Sequence, residues 1–265
     1  MMMAMASSAH ASVYWVISLA RSGSSVAAYG AAAPWNVPIA DEVFGPWDRT
    51  GEPYHYPKEQ VELKELFWNV GEHLTPRVME LATAVFDAVA GDAGRVVMKQ
   101  PHTMILPDEF DREFHNHPTI EHKSVYLLRH PLTRLNSLYA RNWLGSIGPN
   151  HDLDRFKVAA ERWLAHPHRI RYEDLRADAR AFFKRIWDAW GWDYTEADVD
   201  KAIAYQQTKY HANSAKLGQR KPGNELSEKQ WAVPDEAVEL YLNDPFVREV
   251  MAEAGWSEDV VPSSR

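Results

Sequence analysis

Short apolar runs rich in β-branched and aromatic residues alternate along this chain with segments whose apolar positions recur at helical spacing. Val13 to Ala20 (VYWVISLA) reads as a buried strand, and Arg95 to Lys99, Ser124 to Leu128 and His168 to Tyr172 read as further strands. Between them, Ser24 to Ala33 is small and apolar enough for a closely packed helix, stopped by Pro34. Lys58 to Trp68 is amphipathic, and Thr75-Pro76 is a cap and first turn for a helix through Val89 that Gly91 ends. Asp154 to Leu164, Ala177 to Trp190, Asp235 to Leu242 and Pro245 to Ala254 follow the same period, and Thr195 to Asp198 forms a capping box. Strands separated by helices imply an α/β fold: a single domain with a central parallel sheet, right-handed crossovers and flanking helices. The expected domain spans 13–258, between a flexible terminus (1–12) and a tail (259–265). Polar, irregular residues from Lys209 to Glu228 suit a mobile loop over a site.

The first strand runs into Arg21-Ser22-Gly23-Ser24-Ser25. Small residues after a strand suit a tight turn whose backbone N–H groups face an anion, with a helix starting behind it. A triphosphate-binding loop would read G-x-x-x-x-G-K-S/T. Here Ser18 stands in place of the first Gly, Ser24 in place of the Lys, and the cation has moved to Arg21. The loop suits a phosphate, without the arrangement that an ordinary kinase uses for triphosphate and magnesium. The same residues also serve as a plain strand-to-helix turn.

A second constellation follows the strand at Ser124. It ends in Arg129-His130-Pro131, and Leu135, Leu138 and Tyr139 then mark the buried face of a helix opened by Pro131. Arg129 at the strand end and Ser137 on the helix can converge on one anion, because a guanidinium offers a planar fork and a hydroxyl a further donor. In sheets of this kind ligands sit beyond the carboxyl ends of the strands, where Arg21, Lys99, Arg129 and Tyr172 fall.

Together these motifs resemble the sulfotransferases that use 3′-phosphoadenylyl sulfate (PAPS). In that family a loop of the form K/R-S/T-G-S/T-S/T binds the 5′-phosphosulfate, and Arg21, Ser22, Gly23, Ser24 and Ser25 match it throughout. A later strand ending in R-x-P, with a Ser eight residues after the Arg, binds the 3′-phosphate; Arg129, Pro131 and Ser137 keep that spacing. Arg171-Tyr172-Glu173-Asp174-Leu175 resembles a third element, whose Tyr lies near the adenine. Arg220-Lys221-Pro222-Gly223 looks like a looser form of the basic loop that closes over the 3′-phosphate. The likeness runs in order from about Val13 to Gly223. It implies a sulfotransferase-like nucleotide-binding fold. It also implies transfer of the PAPS sulfuryl group to a hydroxyl of a small-molecule or carbohydrate acceptor, leaving adenosine 3′,5′-bisphosphate (PAP), without a metal.

Such transfer needs charge stabilisation on the sulfuryl group and a base for the acceptor hydroxyl. Arg21 and the loop amides suit the first role, and Lys99, at a strand end where the family often has a Lys, can reach a sulfonate oxygen. Family members acting on phenols and steroids carry Lys-Thr-His after that strand. Here Lys99-Gln100-Pro101-His102 displaces the histidine by one position. Carbohydrate-modifying members use a Glu shortly after the first helix, and Ala40-Asp41-Glu42-Val43-Phe44 occupies that region. Glu42 is therefore the favoured base, followed by Asp41 and His102. As an alternative, Asp41 and Glu42 are a solvated acidic pair.

Composition narrows the picture further. The 265 residues, 45% hydrophobic, suffice for one large core, and no apolar stretch reaches the ~18 residues of a bilayer span. With no cysteine there is neither a disulfide nor a thiolate metal site, and a cytoplasmic enzyme is expected. A net charge of −8 argues against general nucleic-acid binding, though not against a local cationic site. His115, His117 and His122 form a ligand-like spacing that surface histidines also produce. Among the 11 Trp residues, Trp35, Trp47 and Trp68 are candidates for an acceptor pocket, whereas Trp163, Trp187 and Trp190 fall on helical core positions. Two other functions remain open: a metal-dependent small-molecule kinase, and a catalytically idle nucleotide-binding protein of the same fold.

Overall fold

The computed structural model describes residues 10–45, 56–70, 75–102, 120–145, 147–206 and 231–257, with side chains left out at 68–70 and 101–102. Five parallel strands form one sheet in the order β2-β3-β1-β4-β5. They are β1 (Ser12–Leu19), β2 (Ile39–Asp41), β3 (Arg95–His102), β4 (His122–Leu128) and β5 (Arg169–Arg171). Central β1 is buried on both faces. Val13, Trp15, Ile17 and Leu19 enter one core, while Tyr14 and Val16 enter the other. That two-sided burial explains why it reads as a continuous apolar run rather than an alternating one.

The helices flank this sheet. Helix α1 (Ser24–Ala32) leaves the loop after β1 and packs tightly, because a Cβ on Gly30 would come within 2.5 Å of Phe183. Pro34 sits in a 3₁₀ turn, Ala33–Trp35, that closes α1. Helix α2 (Glu59–Lys64) widens into a π-helical stretch, Glu65–Val70, and α3 (Pro76–Ala90) begins where the Thr75 hydroxyl accepts the Val78 N–H. After β4 come α4 (Pro131–Tyr139) and α5 (Gly148–Ala165). Among the described residues the remaining helices are α6 (Tyr172–Ala177), α7 (Ala179–Trp190), α8 (Glu196–Tyr205), α9 (Asp235–Leu242) and α10 (Pro245–Glu253).

Strand β3 runs on to His102, so Lys99 lies within it rather than at its end, and α5 begins at Gly148 rather than Asp154. Three further departures have local reasons. Tyr172 opens a helix instead of ending a strand, because Asp174 accepts from the backbone and guanidinium of Arg171 and caps the turn. The Ala177 to Trp190 pattern breaks at Asp178, whose carboxylate caps α7 through the Ala181 N–H. Strand β2 was not expected, because it follows Pro38 and ends on Asp41 beside Glu42, residues that read as loop. The capping box at Thr195 and Asp198 forms as its spacing requires.

Candidate active site at the carboxyl ends of the strands

Strand order locates the crevice. The chain builds β2 and β3 on one side of β1, then crosses to place β4 on the other. The loops leaving β1 and β4 therefore diverge in opposite directions, and the gap between them is where open α/β sheets bind ligands. In register, Ser18 of β1 lies beside Leu127 of β4, so Arg21 and Arg129 emerge from adjacent strand ends.

Their side chains interlock. Arg21 Nε donates to Ser137 Oγ at 3.2 Å, and Arg129 Nη1 donates to the Arg21 carbonyl at 3.3 Å. Arg129 Nε also reaches Thr133 Oγ1 at 3.0 Å, and its guanidinium lies 4.6 Å from the centre of the Tyr172 ring. Burial lowers the pKa of Arg129, opposed by the nearby Tyr172 and Glu173. Gly23 sits at φ +94°, and a Cβ there would fall 2.2 Å from Tyr172 Cδ2. The glycine thus lets the Tyr172 ring lie directly on the loop. Ser24 and Ser25 begin α1, with their amides at its N-terminus, where the helix dipole favours an anion. The hydroxyls of Ser18 and Ser22 are buried without a hydrogen-bond partner among the described residues. A cradle of amides, guanidinium groups and an aromatic wall fits a phosphorylated nucleoside.

The loop after β4 is itself pinned. Leu132 N–H donates to His130 Nδ1 at 3.2 Å, so Nε2 carries the proton and donates to the Ser257 carbonyl at 2.9 Å. Burial holds the His130 pKa below the ordinary value. One carboxylate oxygen of Glu173 accepts the His130 N–H and the other the Trp256 indole N–H, each at 3.1 Å.

Beside this crevice the candidate base and the candidate cation form one cluster. Asp41 pairs in register with Lys99 across β2 and β3. Lys99 Nζ lies 2.8 Å from Asp41 Oδ1 and 2.7 Å from Glu42 Oε1. Burial opposes the Lys99 charge, but the two carboxylates outweigh it and raise its pKa. Asp41 is fixed further by the Tyr29 hydroxyl at 3.2 Å and by Tyr56, whose hydroxyl bridges the Asp41 N–H and carbonyl. Glu42, at φ +56°, is the more exposed of the two carboxylates, 19% against 7%. The solvated acidic pair is corrected by this geometry: both carboxylates share a buried ammonium.

Other expectations separate from the site. Trp35 packs against Trp187 and Trp192, near Arg95 at the start of β3, and so lies at the opposite end of the sheet from the loops. Trp163, Trp187 and Trp190 are core residues as expected. His122 is buried in β4 against Trp15. Arg220, Lys221, Trp47, His115, His117 and the polar segment 209–228 lie outside the described residues, as do the side chains of His102 and Trp68. Two neighbours of the site were not anticipated. Trp143, 53% exposed, has the Arg21 guanidinium 4.9 Å from its ring centre. Arg134 reaches the loop carbonyl of Ala20 at 2.9 Å. Its signal was available, because Arg134 is four positions before Leu138 and so falls on the apolar stripe of its helix.

No protein-family model matches the sequence, and neither does any curated protein. Solved structures do match. A crystal structure of retinol dehydratase in complex with androsterone and inactive cofactor PAP superposes with a TM-score of 0.53, at 16% identity, over 90% of this chain and 80% of that one. Mouse sulfotransferase SULT7A1 complexed with PAP matches at a TM-score of 0.48 and 13% identity, over 91% and 88% of the two chains. The sulfotransferase domain of the Synechococcus PCC 7002 olefin synthase matches at 0.46 and 16%, over 94% and 97%. The α/β fold of this chain is thus shared with a PAP-complexed protein.

Proposed function

We propose that this chain is a PAPS-dependent sulfotransferase that moves a sulfuryl group to the hydroxyl of a small-molecule or carbohydrate acceptor. The observation that carries the reading is the meeting of Arg21, Ser137 and Arg129 in the crevice between β1 and β4. Residues matching the 5′-phosphosulfate and 3′-phosphate motifs thus become neighbours. The fold shared with retinol dehydratase, crystallised with PAP and androsterone, supports the same nucleotide and a hydroxylated acceptor.

In this reading Arg21 and the amides of Gly23 to Ser25 stabilise negative charge growing on the leaving 5′-phosphate. Arg129 and Ser137 hold the 3′-phosphate, Tyr172 flanks the adenine, and Arg220 with Lys221 closes over the nucleotide. Glu42 takes the proton of the acceptor hydroxyl. The freed oxygen lone pair forms the new S–O bond, and the bond from sulfur to the phosphate oxygen breaks with its electron pair going to phosphate. The products are a sulfated acceptor and PAP. Lys99 Nζ, 2.8 Å from Asp41 Oδ1 and 2.7 Å from Glu42 Oε1, fixes the orientation of the Glu42 carboxylate. Asp41 and His102 are the other candidates for that proton. The proposal includes a cytoplasmic location. Among the described residues no helix is long and apolar enough to cross a membrane.

The test is a thermal-shift titration with PAP, ADP and ATP–magnesium, followed by transfer assays with PAPS. Native-state binding at a hundredfold excess over Kd adds ~2.7 kcal/mol of stability. Selective stabilisation by PAP, with sulfuryl transfer to a hydroxylated acceptor, is expected. Stabilisation by ATP–magnesium alone would overturn the reading in favour of a kinase; PAP binding without transfer to any acceptor would favour an idle nucleotide-binding protein.

A further inference from the structure

Two consecutive carbonyls of the loop after β1 are captured by guanidinium groups. Arg129 Nη1 donates to the Arg21 carbonyl, and Arg134 Nε donates to the Ala20 carbonyl at 2.9 Å. Arg134 is 1% exposed and belongs to no motif of the site. Its Nη1 and Nη2 donate to the two oxygens of Asp152 at 2.8 and 2.6 Å, and the Tyr241 hydroxyl donates to Asp152 Oδ2 at 2.7 Å. Asp152 lies on α5 and Tyr241 on α9, so three helices converge on one loop carbonyl.

A carbonyl oxygen turned toward a bound phosphate would repel it. Drawn back by a cation, it leaves only N–H groups facing the anion. The peptide is planar and trans, so holding the Ala20 oxygen also aims the Arg21 N–H the opposite way. Arg21 then enters a left-handed conformation, φ +71°, that a non-glycine residue adopts only when its surroundings impose it. A buried ion pair by itself contributes little net stability against desolvation, so the third contact, to Ala20, gives this one a purpose.

We infer that Arg134, locked in place by Asp152 and Tyr241, is a positioning residue that aims the loop at the 5′-phosphate end of the nucleotide. The inference rests on the reading of the loop as the 5′-phosphate site. The Arg134 guanidinium is taken up by Asp152 and the Ala20 carbonyl, and it acts through the Ala20–Arg21 peptide. Its influence is therefore greatest on the 5′ side; Arg129 and Ser137 meet the same loop only through the Arg21 carbonyl and Nε and should feel it less.

The experiment compares binding of PAP and of adenosine 3′-monophosphate by calorimetry, with Tm measured without nucleotide. Arg134→Lys cannot keep both the forked pairing and the Ala20 contact, and should weaken PAP tenfold or more. Tyr241→Phe keeps the ring in the core, removes one hydrogen bond from Asp152, and should weaken PAP severalfold. Adenosine 3′-monophosphate, which has no 5′-phosphate, should lose less affinity than PAP in both variants. Equal losses for the two nucleotides, or a lowered Tm with PAP affinity intact, would reduce Arg134 to a structural ion pair and overturn the inference. Failure of the unaltered protein to bind either nucleotide would instead overturn the proposed function, and this inference with it.

Discussion

Arg21 and Ser137 stand 116 positions apart in sequence, yet Arg21 Nε donates to the Ser137 hydroxyl at 3.2 Å. The bond joins the loop after the central strand to the helix after its neighbour, and it brings the two motif segments into one crevice. Arg129, on the same junction, contacts the Arg21 carbonyl and the Tyr172 ring.

Replacing Arg129 by Ala should cost the ~1.5–3 kcal/mol expected of a charged hydrogen-bond partner, roughly a 10- to 150-fold weaker Kd for PAP. Calorimetric titration of the folded variant checks this. An unchanged Kd would remove Arg129 from the nucleotide site.

Glu42→Gln should slow sulfuryl transfer by about 10²- to 10⁴-fold, the usual contribution of a general base, while PAP affinity stays nearly intact. Steady-state turnover measured beside PAP binding separates the two effects. Full activity in this variant would move the proton-accepting role to Asp41 or His102.

Gly23→Ala should damage both folding and nucleotide binding. The backbone sits at φ +94°, and the new methyl would meet the Tyr172 ring at 2.2 Å. Left-handed backbone alone costs an L-residue about 1–2 kcal/mol. Tyr172→Ala in the same chain should recover part of the lost stability by removing the clash. No recovery in chemical denaturation would show that the ring does not press on the loop.

Glu173 predicts a pH dependence. Burial raises its pKa above the ordinary carboxylate value, opposed by its hydrogen bonds and by Arg129. The folded state therefore binds this proton more tightly than the unfolded state does. Its favourable contribution is complete below the unfolded value near ~4.3 and is lost as pH rises through the folded pKa. Glu173→Gln removes that titration, so its stability relative to the unaltered protein should improve as pH rises from about 4 to 7. Urea denaturation across that range measures the difference; a constant offset would refute the sign.

Much of the architecture was legible because its signals are local. The β1 run, the Pro-opened turns at Pro76, Pro131 and Pro245, and the Thr195 capping box all act on residues a few positions apart. Strand β2 was not, because it follows Pro38 and ends on Asp41 beside Glu42, residues that read as loop. The break at Asp178 turned on one side chain choosing the backbone N–H of Ala181. The Trp residues show the same divide. Helical spacing placed Trp163, Trp187 and Trp190 in the core, but Trp35 took its position from aromatic contacts with residues more than 150 positions away.

By itself, the sequence determined the Arg21–Ser25 and Arg129–Ser137 segments, their spacing and the strand-then-helix setting of each, since steric preference and apolar period act over a few residues. Only the tertiary structure decided that β4 lies beside β1, and so that Arg129 touches the Arg21 loop. It alone put Lys99 between Asp41 and Glu42, and Arg134 between Asp152 and the Ala20 carbonyl. The physical reason is that sheet order and buried charge pairing follow from how whole crossovers pack. A charged side chain surrenders its water only where the assembled fold supplies a partner.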